Sequence, residues 1–206
     1  MKQNQDKLFY EKIECNAGKK YIAGCDEVGR GPLAGPVVCA AVIMPLDNII
    51  EGVDDSKKLS PKKREKLFDE IIKTAVAVQV EFVYEQEIDE LNILQATKKC
   101  MAKAINNLSV RPDVCLVDAV NNLDTDIKIV SIIHGDALSY SIGAASIVAK
   151  VIRDRFMDEQ DKIYPEYGFA KNKGYGTKFH MDALKKIGPS PIHRKTFIKF
   201  LGEDNV

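Results

Sequence analysis

The sequence predicts an α/β fold in one compact domain, with a small helical extension at the C-terminal end. The chain has 206 residues, 45% of them hydrophobic, which is enough for a single sizeable core. Apolar strand-like runs alternate with stretches of helical periodicity. No internal repeat or low-complexity linker interrupts this alternation, so nothing in the sequence marks a boundary between two domains.

The first elements are two strands, Tyr21–Asp26 and Val37–Met44. The second strand is an almost continuous apolar run, as expected of a strand that is buried on both faces of its sheet. A glycine-rich segment, 29–35, joins the two strands. Ser60 is a suitable N-cap, and the following proline is favourable at the first helical position, which predicts a helix from there to about residue 75.

The middle of the chain continues this alternation. Residues 75–84 are rich in valine and predict a strand, and residues 86–108 have the periodicity of one long helix. Arg111-Pro112 ends that helix. Two further short strands are expected at Val114–Asp118 and Ile127–Ile133.

The last predicted long helix runs from Ser139 to about Ile163 and begins with small residues, "SIGAASIVAK". Small side chains allow a helix to approach a sheet closely. Residues from about 164 to 206 contain Pro and Gly around one short helix near Met181–Ile187, and then an apolar, basic tail. We expect this segment to be a C-terminal extension and residues 1–20 to be an N-terminal one.

Cysteine usage and hydropathy indicate a cytoplasmic protein. The five cysteines are odd in number and form no C-x-x-C pair, which favours buried thiols in a reducing compartment; they are Cys15, Cys25, Cys39, Cys100 and Cys115. The N-terminus has no apolar signal region, and the longest apolar run, Val37–Met44, is too short to cross a bilayer. We therefore expect no membrane association.

Charge is balanced over the whole chain but not along it. Residues 1–149 contain 18 Lys or Arg and 22 Asp or Glu, whereas residues 150–199 contain 12 and 6. This asymmetry suits a metal-dependent enzyme that acts on a polyanion, although an ordinary dipolar surface would give the same numbers.

Three acidic residues lie at the ends of predicted buried strands or in a loop that follows one. Asp26 ends the first strand, Asp118 ends the fourth, and Asp136 lies in the "HGD" loop before the small-residue helix. Carboxylates at the ends of neighbouring strands can converge although they are distant in sequence. Glu27 can join Asp26 only if the strand ends or bulges there, because successive side chains point to opposite faces. Oxygen donors without nearby His or Cys favour Mg²⁺ or Mn²⁺ over zinc.

Eight segments in order resemble bacterial ribonuclease HII, a family of type 2 ribonucleases H. They are "YIAGCDEVGRGPLAGPVVCAAVI", "DDSKKLS", "EIDELNILQAT", "LVDA", "HGD", "AASIVAKVIRDR", "YPEYGFAKNKGYGTKFH" and "PIHRKTFIKF", and they extend from about Tyr21 to Phe200. A lone D-E-x-G-R-G would be a modest signal, whereas eight segments in register are specific.

The resemblance implies an RNase H-like fold, a mixed five-stranded sheet flanked by helices with a C-terminal helical extension. It implies hydrolysis of the RNA strand of RNA–DNA hybrids and incision of DNA duplexes at a single embedded ribonucleotide. The family's metal-binding and catalytic acids fall on Asp26, Glu27, Asp118 and Asp136. Two divalent ions, Mn²⁺ or Mg²⁺, roughly 4 Å apart would activate a water and give 5′-phosphate and 3′-hydroxyl ends. Asp26 is expected to bridge them.

Nucleic-acid contacts are implied at a second set of positions. The family's substrate-sensing segment falls on Gly29, Arg30 and Gly31, and its substrate-contacting tyrosine on Tyr175. Gly29 and Gly31 lack a Cβ, so their backbone can approach a ribose closely. Ser56 and Lys57 are expected near the substrate. Basic residues expected to follow phosphates are Lys150, Arg153, Arg155, Lys171, Lys173 and Lys178, although any one of them could simply be solvated.

Two positions depart from the family pattern. Ala119 stands where the family commonly has glycine, and His134 stands where lysine is frequent before "GD". The three histidines, His134, His180 and His193, are too scattered for a metal site and are expected to be hydrogen-bonded structural residues.

Two alternatives to an HII-type nuclease are open. One is a catalytically silent hybrid-binding module, which would not need clustered negative charge opposite phosphates. The other is a type HIII ribonuclease, which has an extra N-terminal domain, whereas about 20 residues precede Tyr21 here. We expect a monomer, and the tail "LGEDNV" shows no clamp-binding pattern that would identify a protein partner.

Overall fold

The computed structural model describes residues 6–202 and contains a five-stranded mixed sheet. The strand order is β3-β2-β1-β4-β5, with β1 antiparallel to β2 and parallel to β4. The strands are β1 (Ile22–Val28), β2 (Val37–Ile43), β3 (Ala77–Val83), β4 (Val114–Asp118) and β5 (Lys128–Ile132). The predicted α/β fold with a mixed five-stranded sheet is confirmed.

Eight α-helices lie within the described residues. They are α1 (Phe9–Asn16), α2 (Pro61–Thr74), α3 (Glu85–Leu91), α4 (Ile93–Asn106), α5 (Gly135–Leu138), α6 (Tyr140–Ile163), α7 (Phe169–Asn172) and α8 (Lys178–Ile187). Helices α4 and α6 cover opposite faces of the sheet, and each buries a separate apolar cluster against it. The predicted N-cap at Ser60 is present, because its hydroxyl accepts from Lys63 N–H. The Ser139 hydroxyl likewise caps α6 by accepting from Ile142 N–H.

The long helix α6 packs directly on β1, the central strand. Its first three turns are almost entirely buried and consist mainly of small and β-branched residues. A Cβ built on Gly24 would lie 2.0 Å from the backbone carbon of Ser141. Backbone therefore contacts backbone at this point, and only glycine fits in the strand. This close approach fixes α6 across the end of β1, where the acidic residues lie.

The predicted single helix over 86–108 is wrong, because the chain breaks at Asn92. This residue has φ +70°, and its side chain caps α4 by accepting from the N–H groups of Leu94 and Gln95. Asparagine tolerates the left-handed region and is a strong N-cap, so the break has a local cause. Helix α1, in the stretch assigned to an N-terminal extension, was not predicted.

Residues 164–202 pack on the outer side of α6 as short helical turns around α7 and α8. An apolar cluster joins them to the rest of the molecule and contains Ala34, Met157, Tyr167, Phe169, Leu184 and Ile198. Helix α8 begins at Lys178, three residues before the predicted start, because the Thr177 hydroxyl caps it. Most of the "LGEDNV" tail lies outside the described residues.

Four of the five cysteines are buried thiols as predicted, whereas Cys15 is exposed on α1. Within residues 6–202, no helix combines the length and the apolar character that a membrane span requires.

Candidate active site

Asp26 and Asp118 occupy equivalent positions on neighbouring parallel strands. The last registered pair of β1 and β4 is Cys25 with Val117, and each aspartate is the next residue along its strand. Asp26 is 5% exposed, and its Oδ1 accepts a hydrogen bond from the N–H of Glu27 at 2.8 Å. The parallel register thus brings together two carboxylates that are 92 residues apart, as the sequence predicted.

Asp136 is tied to Asp118 through the residue before it. The N–H of Gly135 donates to Asp118 Oδ1 at 2.8 Å, and a Cβ on Gly135 would meet Ile142 Cδ1 at 2.6 Å. Asp136 itself is 8% exposed on the short helix α5. The predicted "HGD" loop is therefore a turn of helix, held between the end of β4 and the start of α6.

Glu27 lies within an unbroken strand. The pairing of β1 with β2 runs without interruption to Val28, so the predicted strand end or bulge at Glu27 is wrong. Its Oε1 lies 3.4 Å from Arg30 Nη1, and its Oε2 is buried and has no hydrogen-bond partner among residues 6–202. The carboxylate nevertheless interacts electrostatically with Asp118. Glu27 thus lies close enough to the acidic group to interact with it, although β1 continues past this residue.

Burial dominates the electrostatics of these acids. It raises the pKa of Asp26 well above its ordinary value, and the charges of Glu27 and Asp118 add to the effect, which a hydrogen bond from Ser146 opposes. Burial also raises the pKa of Glu27, and raises that of Asp136 with help from the charges of Asp55 and Asp118. Buried like charges of this kind favour a cation between them.

Lys57 is the cation that faces the acidic group. Burial alone would lower the pKa of its ammonium, but the charges of Asp26, Asp136, Asp55 and Glu27 together raise it. Lys57 therefore remains protonated beside the carboxylates. The neighbouring Ser56 is only 4% exposed, and its hydroxyl is hydrogen-bonded to the Ser146 hydroxyl at 2.9 Å.

Gly31 and Tyr175 lie side by side, and Arg30, the residue before Gly31, lies 3.4 Å from the Glu27 carboxylate. A Cβ built on Gly31 would have one near neighbour, Tyr175 Cε1 at 3.6 Å, and Tyr175 is 45% exposed. Gly29 differs, because it has φ +94° and a Cβ there would lie 2.3 Å from Arg153 Nε. Gly29 is thus required by the internal packing of the chain, whereas Gly31 borders open space.

The predicted phosphate-following residues separate into three groups. Arg153 is fully buried, so its prediction is wrong. Lys150 forms an ion pair with Asp154 at 2.7 Å and its side chain is 17% exposed, so a phosphate contact would require breaking that pair. The others remain at least partly accessible: Arg155 pairs with Glu65, Lys173 with Asp158 and Lys178 with Asp182, while Lys171 is exposed.

The four predicted acids converge at one edge of the sheet, but the side chains stand apart. Within residues 6–202, no three His, Cys, Asp or Glu side chains are positioned to hold a metal ion as they lie. The oxygen donors and the unpartnered Glu27 Oε2 fit a hard divalent cation in type. Ligation would require the carboxylates to rotate towards one another.

Ala119 and His134 both adopt left-handed backbone conformations, with φ +49° and +60°. They flank the acidic group, after Asp118 and before Asp136. A glycine would relieve the strain at position 119, which gives a physical reason for the glycine that the family commonly carries there. The side chain of His134 is exposed.

His180 and His193 form a buried pair that their sequence separation did not reveal. Their Nε2 atoms lie 2.9 Å apart, His180 Nδ1 is 2.9 Å from the Tyr175 carbonyl, and His193 Nδ1 accepts from Ser190 N–H at 2.9 Å. Both are hydrogen-bonded structural residues, as predicted. The chain of hydrogen bonds connects the C-terminal segment to the loop that carries Tyr175.

This histidine pair predicts a loss of stability in mild acid. Burial and then the charge of His180 lower the pKa of His193 to about 4, and burial lowers that of His180. Because the folded pKa lies below the ordinary value, the stabilisation is complete above about pH 6.5 and is lost as the pH falls towards 4. We expect His193 to account for a loss of about 2 kcal/mol between pH 7 and pH 5.

Urea denaturation of the wild type and of His193→Asn at both pH values measures this effect. Asparagine does not titrate but keeps an acceptor for Ser190 N–H, so the variant should lose less stability on acidification. Equal losses in the two proteins would show that other groups cause the pH dependence.

The chain matches known proteins over most of its length. A family model described as ribonuclease HII matches residues 23–200. Curated relatives named ribonuclease HII include one from Acetivibrio thermocellus, 56% identical over 93% of this chain and 75% of the relative. A second, from Caldanaerobacter subterraneus, is 52% identical over 97% of this chain and 83% of the relative.

Solved structures agree in fold. Ribonuclease H2 from Pyrococcus horikoshii is 30% identical, with a TM-score of 0.77 over 90% of this chain and 98% of that one. RNase H3 from Aquifex aeolicus is 18% identical, with a TM-score of 0.66 over 94% of this chain and 80% of that one. This likeness shows a shared fold alone. The chain is an endonuclease of the ribonuclease H type and belongs to the ribonuclease HII family.

Proposed function

We propose that this protein hydrolyses the RNA strand of RNA–DNA hybrids and also incises duplex DNA on the 5′ side of a single embedded ribonucleotide. The observation that carries the proposal is the convergence of four carboxylates at one sheet edge, with Arg30 pairing with Glu27 at 3.4 Å and the next residue, Gly31, lying beside Tyr175. A group that could cut a phosphodiester and a group that could examine a sugar are thus adjacent.

The four acids are proposed to hold two divalent ions, Mn²⁺ or Mg²⁺. Three of them, Asp26, Glu27 and Asp136, have raised pKa values because they are buried near like charges. A bound cation would remove the free-energy cost of keeping these carboxylates ionised close to one another. A ribonuclease HIII from the same fold group has been solved with Mn²⁺. When bound, such ions activate a water and neutralise charge on the departing oxygen.

The chain's own residues position the substrate. Asp26 is the most buried of the four acids and interacts electrostatically with both Glu27 and Asp118, so it would be the best placed of them to serve both ions. The Lys57 ammonium, facing the carboxylates, can offset the negative charge of a phosphodiester that enters. Phosphoryl transfer depends chiefly on positioning and charge neutralisation, so no protein nucleophile is required, and the products are a 5′-phosphate and a 3′-hydroxyl.

Discrimination of ribose from deoxyribose is assigned to the reading loop, which we define as residues 29–36, together with Tyr175. The 2′-hydroxyl both donates and accepts a hydrogen bond, so it can be recognised by backbone groups beside a residue without a Cβ. Gly31 meets this need because, among the described residues, a Cβ added there would have Tyr175 as its one neighbour within 4 Å outside the adjacent chain. The half-exposed Tyr175 ring can then pack on the adjacent sugar.

The remaining predictions belong to the same proposal. Residues from about 164 onward would bind substrate as an extension of one ribonuclease H-like domain, and the protein would act in the cytoplasm as a monomer. An archaeal relative from Archaeoglobus fulgidus, 30% identical, has been solved as a PCNA:RNase HII complex. We propose no clamp contact for this chain. A silent hybrid-binding module is disfavoured because four acids at one sheet edge would repel phosphates without contributing to binding.

A cleavage assay on three end-labelled duplexes tests the proposal: an RNA–DNA hybrid, a DNA duplex with one ribonucleotide, and an all-DNA duplex. With Mn²⁺ or Mg²⁺ we expect the first two to be cut, the second on the 5′ side of the ribonucleotide, and none to be cut in EDTA. Binding without cleavage in either metal would support the silent module instead. Cleavage of the long hybrid only would refute the single-ribonucleotide activity.

Replacement of Tyr175 by Ala is expected to reduce kcat/KM on the single-ribonucleotide duplex by about 10-fold to 100-fold, corresponding to roughly 1–3 kcal/mol of lost stacking. The enzyme can bind a long hybrid at many equivalent positions, so the loss of kcat/KM on that substrate should be smaller. Tyr84→Ala is a matched control, because Tyr84 is likewise about half exposed but follows β3. Equal losses on both substrates would contradict a role for Tyr175 in locating the ribonucleotide.

A further inference from the structure

Two arginines, Arg153 and Arg194, are fully buried without an acidic ion-pair partner within residues 6–202. Burial lowers the pKa of Arg153 to about 10 and that of Arg194 to about 9, so both stay charged at neutral pH. An unpaired charge in the interior costs several kcal/mol unless its hydrogen bonds are fully satisfied. The partners of these guanidinium groups therefore indicate what the arginines hold in place.

Within the described residues, every hydrogen bond of the Arg194 side chain goes to a backbone carbonyl of the reading loop. Nη2 donates to Gly29 O at 2.6 Å, Nη1 donates to Arg30 O at 3.0 Å, and Nε donates to Gly35 O at 2.9 Å. The planar guanidinium fork thus joins the two ends of the loop. The ammonium of a lysine cannot reproduce this arrangement, because it is a single point of charge and has no planar fork of N–H donors.

Arg153 holds the same loop from the other side and ties it to the Tyr175 segment. Its Nε donates to Pro36 O at 2.9 Å, Nη2 donates to Ala34 O at 3.2 Å, and Nη1 donates to Lys173 O at 2.9 Å. The loop is further bonded to that segment by Leu33 N–H, which donates to Gly174 O at 2.8 Å.

These contacts determine which backbone groups of the loop face outward. In a trans peptide, the C=O of one residue and the N–H of the next point in opposite directions. Because the carbonyls of Gly29 and Arg30 point inward to Arg194, the N–H groups of Arg30 and Gly31 point away from it. Within the described part of the chain, neither of these two N–H groups has a hydrogen-bond acceptor. Gly31 carries no side chain to cover them.

We propose that Arg194 is a positioning residue for ribose recognition: by binding the carbonyls of Gly29 and Arg30, it presents two adjacent, unpaired N–H donors to the 2′-hydroxyl and the neighbouring phosphate oxygen. Arg153 supports the same arrangement and keeps Tyr175 against Gly31. This inference rests on the proposed function, because it explains how that site would select its substrate. It assigns specificity to a residue that does not touch the nucleic acid.

The substitution Arg194→Lys tests the proposal through binding selectivity. Fluorescence anisotropy in EDTA measures the Kd for a duplex with one ribonucleotide and for the matching all-DNA duplex. The ratio of the two is the ribose preference. Without the guanidinium, the peptide groups that contain the carbonyls of Gly29 and Arg30 are free to rotate. We therefore expect the ribose preference to fall by about tenfold, while the affinity for the all-DNA duplex changes little.

Two controls separate positioning from stability. Arg111→Lys makes the same chemical change at an exposed arginine paired with Asp126, and should leave the preference unchanged. Ile198→Ala removes a buried side chain from the C-terminal segment, so it should lower the free energy of unfolding without altering the preference. A folded Arg194→Lys protein with a preference within twofold of the wild type overturns the proposal.

If Arg194→Lys does not fold, the ¹⁵N-labelled wild type provides the test. The amide signals of Arg30 and Gly31 should shift on addition of the single-ribonucleotide duplex more than on addition of the all-DNA duplex, and equal shifts overturn the proposal. Failure of the proposed function has a different signature: the wild type itself would then show neither ribose preference nor cleavage.

Discussion

Replacement of Asp26 by Asn is expected to reduce cleavage by at least about 10³-fold, or about 4 kcal/mol in transition-state stabilisation, while the Kd for an RNA–DNA hybrid changes by less than about threefold. Asp26 is the most buried of the four acids and interacts with both Glu27 and Asp118. Asparagine has nearly the same shape but no charge, so it removes a metal ligand without removing a substrate contact.

The same substitution should increase stability in the absence of metal. Burial raises the pKa of Asp26, which means that the folded protein is destabilised by the ionised carboxylate at neutral pH. Urea denaturation in EDTA should therefore give Asp26→Asn a higher free energy of unfolding than the wild type. Asp124→Asn, at an exposed acid, is the control for both measurements. Near-normal turnover by Asp26→Asn would refute its central role.

The substitution Gly24→Ala should cause the largest loss of stability, more than about 3 kcal/mol. The added methyl would lie 2.0 Å from the Ser141 carbon and 2.4 Å from the Ile142 nitrogen, which are backbone atoms that cannot rotate away. Helix α6 would have to move off β1. For a chain of this length the loss corresponds to a decrease in Tm of about 10 °C.

Gly31→Ala is a matched control for that stability measurement. It makes the same chemical change, but its nearest neighbour would be 3.6 Å away and its φ lies outside the left-handed region. Thermal melting of the two variants should give a near-normal Tm for Gly31→Ala and a strongly lowered one for Gly24→Ala. Similar Tm values would show that α6 can shift at little cost.

The fold was largely predictable from hydrophobic pattern and capping residues. Apolar runs predicted the five strands to within about two residues at each end, and Ser60 and Ser139 marked the starts of α2 and α6 correctly. The break at Asn92 was missed because helical periodicity continues across it. Asparagine before an apolar run was the signal that could have revealed the cap.

The acidic residues of the site were predictable from the sequence, but the tertiary contacts that hold the site in place were not. Strand-end acids and the resemblance to a family identified which carboxylates lie near the same edge of the sheet. The positions of Glu27, Arg153 and Arg194 were not foreseeable, because they depend on tertiary contacts: an unbroken β1, and carbonyls of the reading loop that turn inward. An arginine is usually solvated, so sequence favoured a phosphate contact for Arg153 that its burial excludes.

If these carboxylates form one metal centre, the folded protein should be stabilised by Mn²⁺, which thermal melting at increasing Mn²⁺ concentrations measures. An ion that binds only the folded protein stabilises it by about 2.7 kcal/mol at a concentration 100 times its Kd. We predict that the Tm of the wild type rises with Mn²⁺ concentration and that Asp26→Asn and Asp118→Asn lose most of this rise. A wild type whose Tm does not respond to Mn²⁺, or variants that respond equally, would contradict the account.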